Sequence, residues 1–316
     1  MKTTHFASFA ALFVTLSACQ TIRLNECGNL NCIFINLSNQ NLNERNYKNE
    51  NFMEANLRRV VLFHADLSNA RFDGANLSHS DLRDSNLENA VFRGADLTGA
   101  NLGDANLKHA DFAGAILDRA NLADSDVHYA DLSFAELRGA DLDGLDMTTT
   151  NLRSSNLQDA KLSAANLSGL DLRGTVFSRA EMAGTKFIKS RLSGSWFNLA
   201  NLKGANMQEA KLNGTLFYGA NLSGANLRNA DLRGAIFIGA KLNGADLRGA
   251  DLHAAELIYH ADHFVFSDGE RDQVIKEIRP AVRPKYNIDC DLHGVIYDSH
   301  TIWPHHFVIP TDAILK

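Results

Sequence analysis

Every fifth residue from Leu37 to Leu257 is Leu, Phe, Met, Val or Tyr, 45 consecutive positions without an insertion. A helix repeats near 3.6 residues and would spread a period of five around its whole surface, while a simple strand repeats every two. Neither element can bury such a row, so short strand-like pieces joined by turns are what remains. Two residues before each central position the chain usually carries Ala, Ser or Thr, and the residue between is usually Asn or Asp, as in Ala65-Asp66-Leu67 and Ala225-Asn226-Leu227. A large and a small inward residue therefore flank an outward polar one.

The pattern A-(D/N)-L-x-x resembles that of the pentapeptide-repeat family, and the resemblance covers roughly 220 of the 316 residues. It implies an all-β fold, a right-handed quadrilateral β-helix with four pentapeptides per coil. Forty-five repeats then make about 11 coils, roughly 55 Å long at about 4.8 Å per coil. Four repeats per coil should stack larger residues at a period of 20. Phe52, Phe72, Phe92 and Phe112 form one such column, and Phe177, Phe197, Phe217 and Phe237 another. Rings at strand spacing lie in the favoured stacking range. Gly174, Gly194, Gly214 and Gly234 recur in a turn, where the lack of a Cβ is expected to relieve crowding and allow positive φ. Proline is absent from the array, as coil-to-coil bonding through every N–H requires.

The first residues read as an export signal: Lys2, a mostly apolar stretch from Phe6 to Thr15, then Leu16-Ser17-Ala18-Cys19. The stretch is short for a membrane span, which takes about 20 apolar residues. Leu-Ser-Ala-Cys resembles the bacterial lipobox, which implies removal of residues 1–18 and acylation of Cys19. Gln20, where sorted lipoproteins retained in the inner membrane carry aspartate, implies the outer membrane. Residues 19–36 then form an N-terminal anchor and cap, 37–257 the solenoid, and 258–316 a C-terminal cap containing a helix. Cys27 and Cys32 fall in the central register of two early repeats, as two buried thiols or as a disulfide. Ser267-Asp268-Gly269-Glu270 has capping-box spacing and predicts a helix over about 268–279, stopped by Pro280. Leu292 and Tyr297 return to repeat-like central positions, and Tyr297-Asp298 with Thr301, Trp303-Pro304 and Phe307 resembles a tail common in the family.

Nothing in the chain points to an enzyme: no nucleophile motif, P-loop or dinucleotide fingerprint is present. Carboxylates recur because the outward position favours Asn or Asp. His260-x-x-His263 with Cys290-x-x-His293 has the pairwise spacing of a zinc site, but Cys290 sits where Ala, Ser and Thr stand elsewhere, and burial accounts for it. No metal or other cofactor is expected. The family's best-known activity is DNA mimicry against type II topoisomerases. Residues 51–257 carry 25 acidic and 21 basic side chains, far short of B-DNA's one negative charge per about 1.7 Å. No nucleic-acid partner is expected either.

The sharper feature is the outward position at one period-20 column, which reads Val176, Trp196, Leu216 and Ile236 instead of Asn or Asp. Tyr218 and Ile238, just after the central residue on that face, are expected to widen this ridge into a patch of the size that marks contact sites. The ridge binds a protein partner, or the helix near 268–279 covers it with Val274, Ile275 and Ile278. The leading expectation is an exported, lipid-anchored scaffold of the bacterial cell envelope. The alternative is a secreted host-interaction protein, and a DNA-mimic topoisomerase inhibitor is a third reading.

Overall fold

The computed structural model describes residues 32–257, 290–305, 307, 309 and 312–316. Cys32–Lys316 falls in one compact unit. Cys19, Cys27, His260, His263 and the helix expected over about 268–279 lie outside the described residues.

Each pentapeptide makes one side of a coil by closing a tight turn. The central residue's C=O accepts the N–H three positions on, as in Ala65 to Leu62 and Ala95 to Phe92, both 3.0 Å. The third turn residue has positive φ whether or not it is glycine, with Asn69 at 58°, His79 at 59° and Tyr129 at 61°. That is the signature of a type II turn. The outward Asn or Asp adds a second tie, because its Oδ1 accepts the N–H two residues on: Ser68 to Asp66 (3.1 Å), Thr98 to Asp96 (2.9 Å), Ala123 to Asn121 (3.0 Å). This Asx turn explains the preference for Asn and Asp, which supply the acceptor that the turn's first amide needs.

The glycine expectation needs correcting in one respect. Gly174, Gly194, Gly214 and Gly234 have φ of 64° to 72°. A Cβ added at Gly194, Gly214 or Gly234 would meet nothing within 4 Å, so the left-handed backbone, not crowding, favours glycine there.

Four such sides complete a coil, and residues 20 apart bridge in parallel from Asn36–Asn56 to Ile236–Glu256. The bonds run to both neighbours: Asp96 N–H reaches Ala75 O (2.9 Å) and Leu97 N–H reaches Ile116 O (2.7 Å). Inside, the central row and the small row are both buried. Phe72, Phe92 and Phe112 stack at 4.7 and 4.6 Å, and Phe177, Phe197, Phe217 and Phe237 at 4.8, 5.2 and 4.9 Å. Where the small position is Thr or Ser, most hydroxyls find a carbonyl, either of the preceding coil, as Thr185 to Leu162 (2.7 Å) and Ser190 to Leu167 (2.8 Å), or of their own turn, as Ser125 to Leu122 (2.6 Å).

The C-terminal segment rejoins the wall inside a turn. Cys290 N–H bonds Leu257 O at 3.0 Å, the same bond that closes two-residue turns elsewhere, with residues 258–289 between them. Asp291 then pairs with Lys241, Ile296 with Asp246 and Ile302 with Asp251. One extra residue enters before Ile302, so Trp303 follows Tyr297 by six positions instead of five. Strand β1 (Ile296–Tyr297) pairs in parallel with β2 (Ile314–Leu315). Asp298 Oδ1 accepts Gly249 N–H (3.0 Å), the Thr301 hydroxyl donates to Leu247 O (3.0 Å), and Trp303 stacks on Phe307 at 5.3 Å.

Candidate partner-binding face

The ladder places Val176, Trp196, Leu216 and Ile236 directly over one another, with Asn156 before them and Glu256 after them in the same column. All four are half-buried. Because the ladder is made by backbone groups, the outward side chain is free to be apolar. The column gives up the Asx tie and gains β-branched and aromatic residues that suit a pleated surface.

The flank differs from the sequence expectation. Tyr218 and Ile238 are only 7% and 4% exposed, so they are covered and do not widen the open patch. The 20-residue register sets them in one column with Asn198, itself 3% exposed. Neither Nδ2 nor Oδ1 of Asn198 has a hydrogen-bond partner among the described residues. Leu199, which sequence reasoning missed, is 40% exposed beside them. A Cβ at position 219 would lie 2.8 Å from Leu199 Cδ2, so Gly219 makes its room. The signal was a leucine in the left-handed turn position, which disfavours it.

The charged surface largely neutralises itself. Asp81, Asp171, Asp231 and Asp246 each pair with the arginine two residues on, and Asp171 receives Arg173 Nε and Nη2 at 2.7 and 2.6 Å. The hydrogen bond from Arg173 holds the Asp171 carboxyl down to about 2, against partial burial, which pushes it up. Other pairs tie successive coils, among them Arg138–Asp118, Lys161–Asp141 and Arg179–Asp159. Among the described residues no group of three or more His, Cys, Asp and Glu is placed to hold a metal ion. Cys290 is half-buried, and His293 Nδ1 lies 2.5 Å from Asp312 Oδ2.

Twenty-residue coils with four five-residue sides, left-handed turn residues and a parallel ladder define a four-sided β-solenoid of pentapeptide repeats. The family model described as pentapeptide repeats, in eight copies, matches successive stretches from 31–78 to 237–259, and the chain belongs to that family. Its solved members are right-handed quadrilateral β-helices. The chain is similar to HetL, a pentapeptide repeat protein involved in heterocyst differentiation regulation from the cyanobacterium Nostoc sp. strain PCC 7120. Identity is 30%, over 74% of this chain and 92% of that one, with a TM-score of 0.34. A structure of QnrB1, a plasmid-mediated fluoroquinolone resistance protein, matches at 16% identity over 77% and 96% of the two chains (TM-score 0.31). A pentapeptide repeat protein of the Arabidopsis thaliana thylakoid lumen matches at 28% over 47% and 68% (TM-score 0.15). Comparison with the curated proteins found no match.

Proposed function

We propose that this protein is a non-enzymatic scaffold of the bacterial cell envelope, exported and anchored through lipid at Cys19 to the outer membrane. On this reading it holds a partner protein against Val176, Trp196, Leu216 and Ile236, with Tyr218 and Ile238 as the covered flank. The observation that carries the reading is the column itself: four successive coils abandon the Asn or Asp that the turn prefers and present apolar side chains outward. Tryptophan is the residue type most enriched at binding hot spots. Elsewhere the arginine–aspartate pairs leave little unbalanced negative charge, which weighs against a DNA-like surface.

A photo-crosslinking residue at position 196 in intact cells, with one at position 121 as control, tests the face. The expected result is an adduct with one second protein, seen from 196 only and abolished by Leu216→Asp. An adduct confined to residues 258–289 of the same chain, or equal yields from both positions, overturns it. Cys19→Ala should move the protein out of the membrane fraction. An unchanged distribution removes the anchor from the proposal.

A further inference from the structure

Two rungs are missing from the otherwise continuous ladder. Asp126 does not pair with Asp146, nor Asn151 with Asp171, although every other register pair from Asn36–Asn56 to Ile236–Glu256 forms. At both places the small inward residue is a leucine. Leu145 precedes Asp146, where neighbouring coils carry Ser125 and Ala165, and Leu170 precedes Asp171, between Thr150 and Ser190. The turn-closing bonds at these residues, Leu145 N–H to Leu142 O (3.4 Å) and Leu170 N–H to Leu167 O (3.5 Å), are the longest of their kind among the described residues. The two leucines are 5% and 8% exposed, against 0% for Ala140 and Ala165.

The wedge acts in one direction. Each leucine keeps its bond to the following coil, Asn166 N–H to Leu145 O and Arg191 N–H to Leu170 O, both 2.8 Å. The preceding coil lets go: Val127, Asp146, Leu152 and Asp171 donate no backbone hydrogen bond across these gaps. The Tyr129 amide bonds the Thr149 hydroxyl (3.1 Å) in place of a backbone carbonyl. A close-packed interior has no room for a leucine in an alanine slot, so the wall parts. Val60, in the same kind of slot, keeps its rung to the preceding coil, Asn41–Val61, with Val61 N–H to Gln40 O at 2.9 Å, which sets the size limit between valine and leucine.

The gaps lie one coil apart on the two sides that share one corner, and each leaves three sides bridged. At the first, Asn121 bridges Asp141, Asp131 bridges Asn151 and Glu136 bridges Asn156; at the second, Asp141 bridges Lys161, Asp146 bridges Asn166 and Asn156 bridges Val176. Both gaps also fall between the phenylalanine columns that end at Phe112 and begin at Phe177. We infer that Leu145 and Leu170 build a joint into the solenoid, where the corner at Val127, Asp146, Leu152 and Asp171 opens first and the two aromatic-cored segments deflect about the unbroken sides. Segments with the fewest backbone bonds sit at the low end of local stability.

Amide hydrogen exchange on the full chain, resolved by NMR, tests this. The amides of Val127, Asp146, Leu152 and Asp171 should exchange about tenfold faster than those of Leu107, Asn166, Leu132 and Arg191, their register equivalents one coil away. Leu145→Ala with Leu170→Ala should bring the four down to the level of those equivalents. Ala205→Leu should open a new fast site at Asn206, and if that variant does not fold, the double alanine variant decides alone. Equal exchange in the unaltered protein, or fast exchange that survives the double substitution, overturns the joint.

Discussion

Between Phe177 and Phe237 four stacked rings fill one side of the core, and Phe187 meets Phe177 and Phe197 edge-on at 5.9 Å. From Leu117 to Leu172 no aromatic ring occupies a central position, Val127 and Met147 interrupt the leucines, and two rungs are lost. Outside the apolar column, the outward and turn chemistry of the two stretches is much the same. Their difference therefore teaches that the pentapeptide fixes register, whereas the sizes of the two inward residues fix how tightly one coil seats on the next. A larger central residue improves the contact by stacking; a larger residue in the small row breaks it.

Substitutions can break that comparison, beginning with the core. Phe197→Ala removes a ring that touches three others and should cost about 3–5 kcal/mol, while Leu152→Ala, beside a missing rung where the wall can collapse, should cost about 2 kcal/mol. Urea unfolding of both variants checks the ordering, and equal losses would mean that the aromatic column adds nothing. A smaller effect is expected from Asn121→Ala. This residue accepts the Ala123 amide and donates to Asn101, each at 3.0 Å, and should be worth about 1 kcal/mol in the same measurement. A loss near zero would make the outward asparagines a matter of solubility.

The smallest effect is on acid stability, and it falls at Asp171, next to one missing rung. Its carboxyl is more acidic in the folded chain, at about 2 against an ordinary 3.8. The stability it contributes is therefore present above the ordinary value and fades as pH falls through about 2. Between pH 4 and 2 the denaturation midpoint of Asp171→Asn should drop less steeply than that of the unaltered protein. Parallel curves would show that the partly exposed pair is screened by solvent.

Much of this was legible in one dimension. The period of five places every central residue from Leu37 to Leu257 in the core, and the period of 20 alone picks out both phenylalanine columns and the apolar ridge. The Asx tie was not legible, because outward polarity alone accounts for Asn and Asp without saying what they bond. Nor were the missing rungs. A leucine at position 145 or 170 is one more apolar residue in an apolar row, and its consequence depends on the space between two coils 20 residues apart. The burial of Tyr218 and Ile238 is a three-dimensional matter of the same kind. At the C-terminal end the return at Leu292 could be followed from the repeat, but the extra residue before Ile302 hides in a stretch where the motif has faded.

The bond from Cys290 to Leu257 deserves a different description. To the ladder, a turn of two residues and a turn enclosing residues 258–289 are the same object, since both end in an N–H···O contact of about 3 Å. The solenoid thus has a socket at the head of its apolar column, into which a segment of arbitrary length can be plugged without retuning any coil beneath it. The entropy of closing such a segment grows only slowly with its length. A lineage carrying this chain is free to exchange one insert for another and keep the wall unchanged.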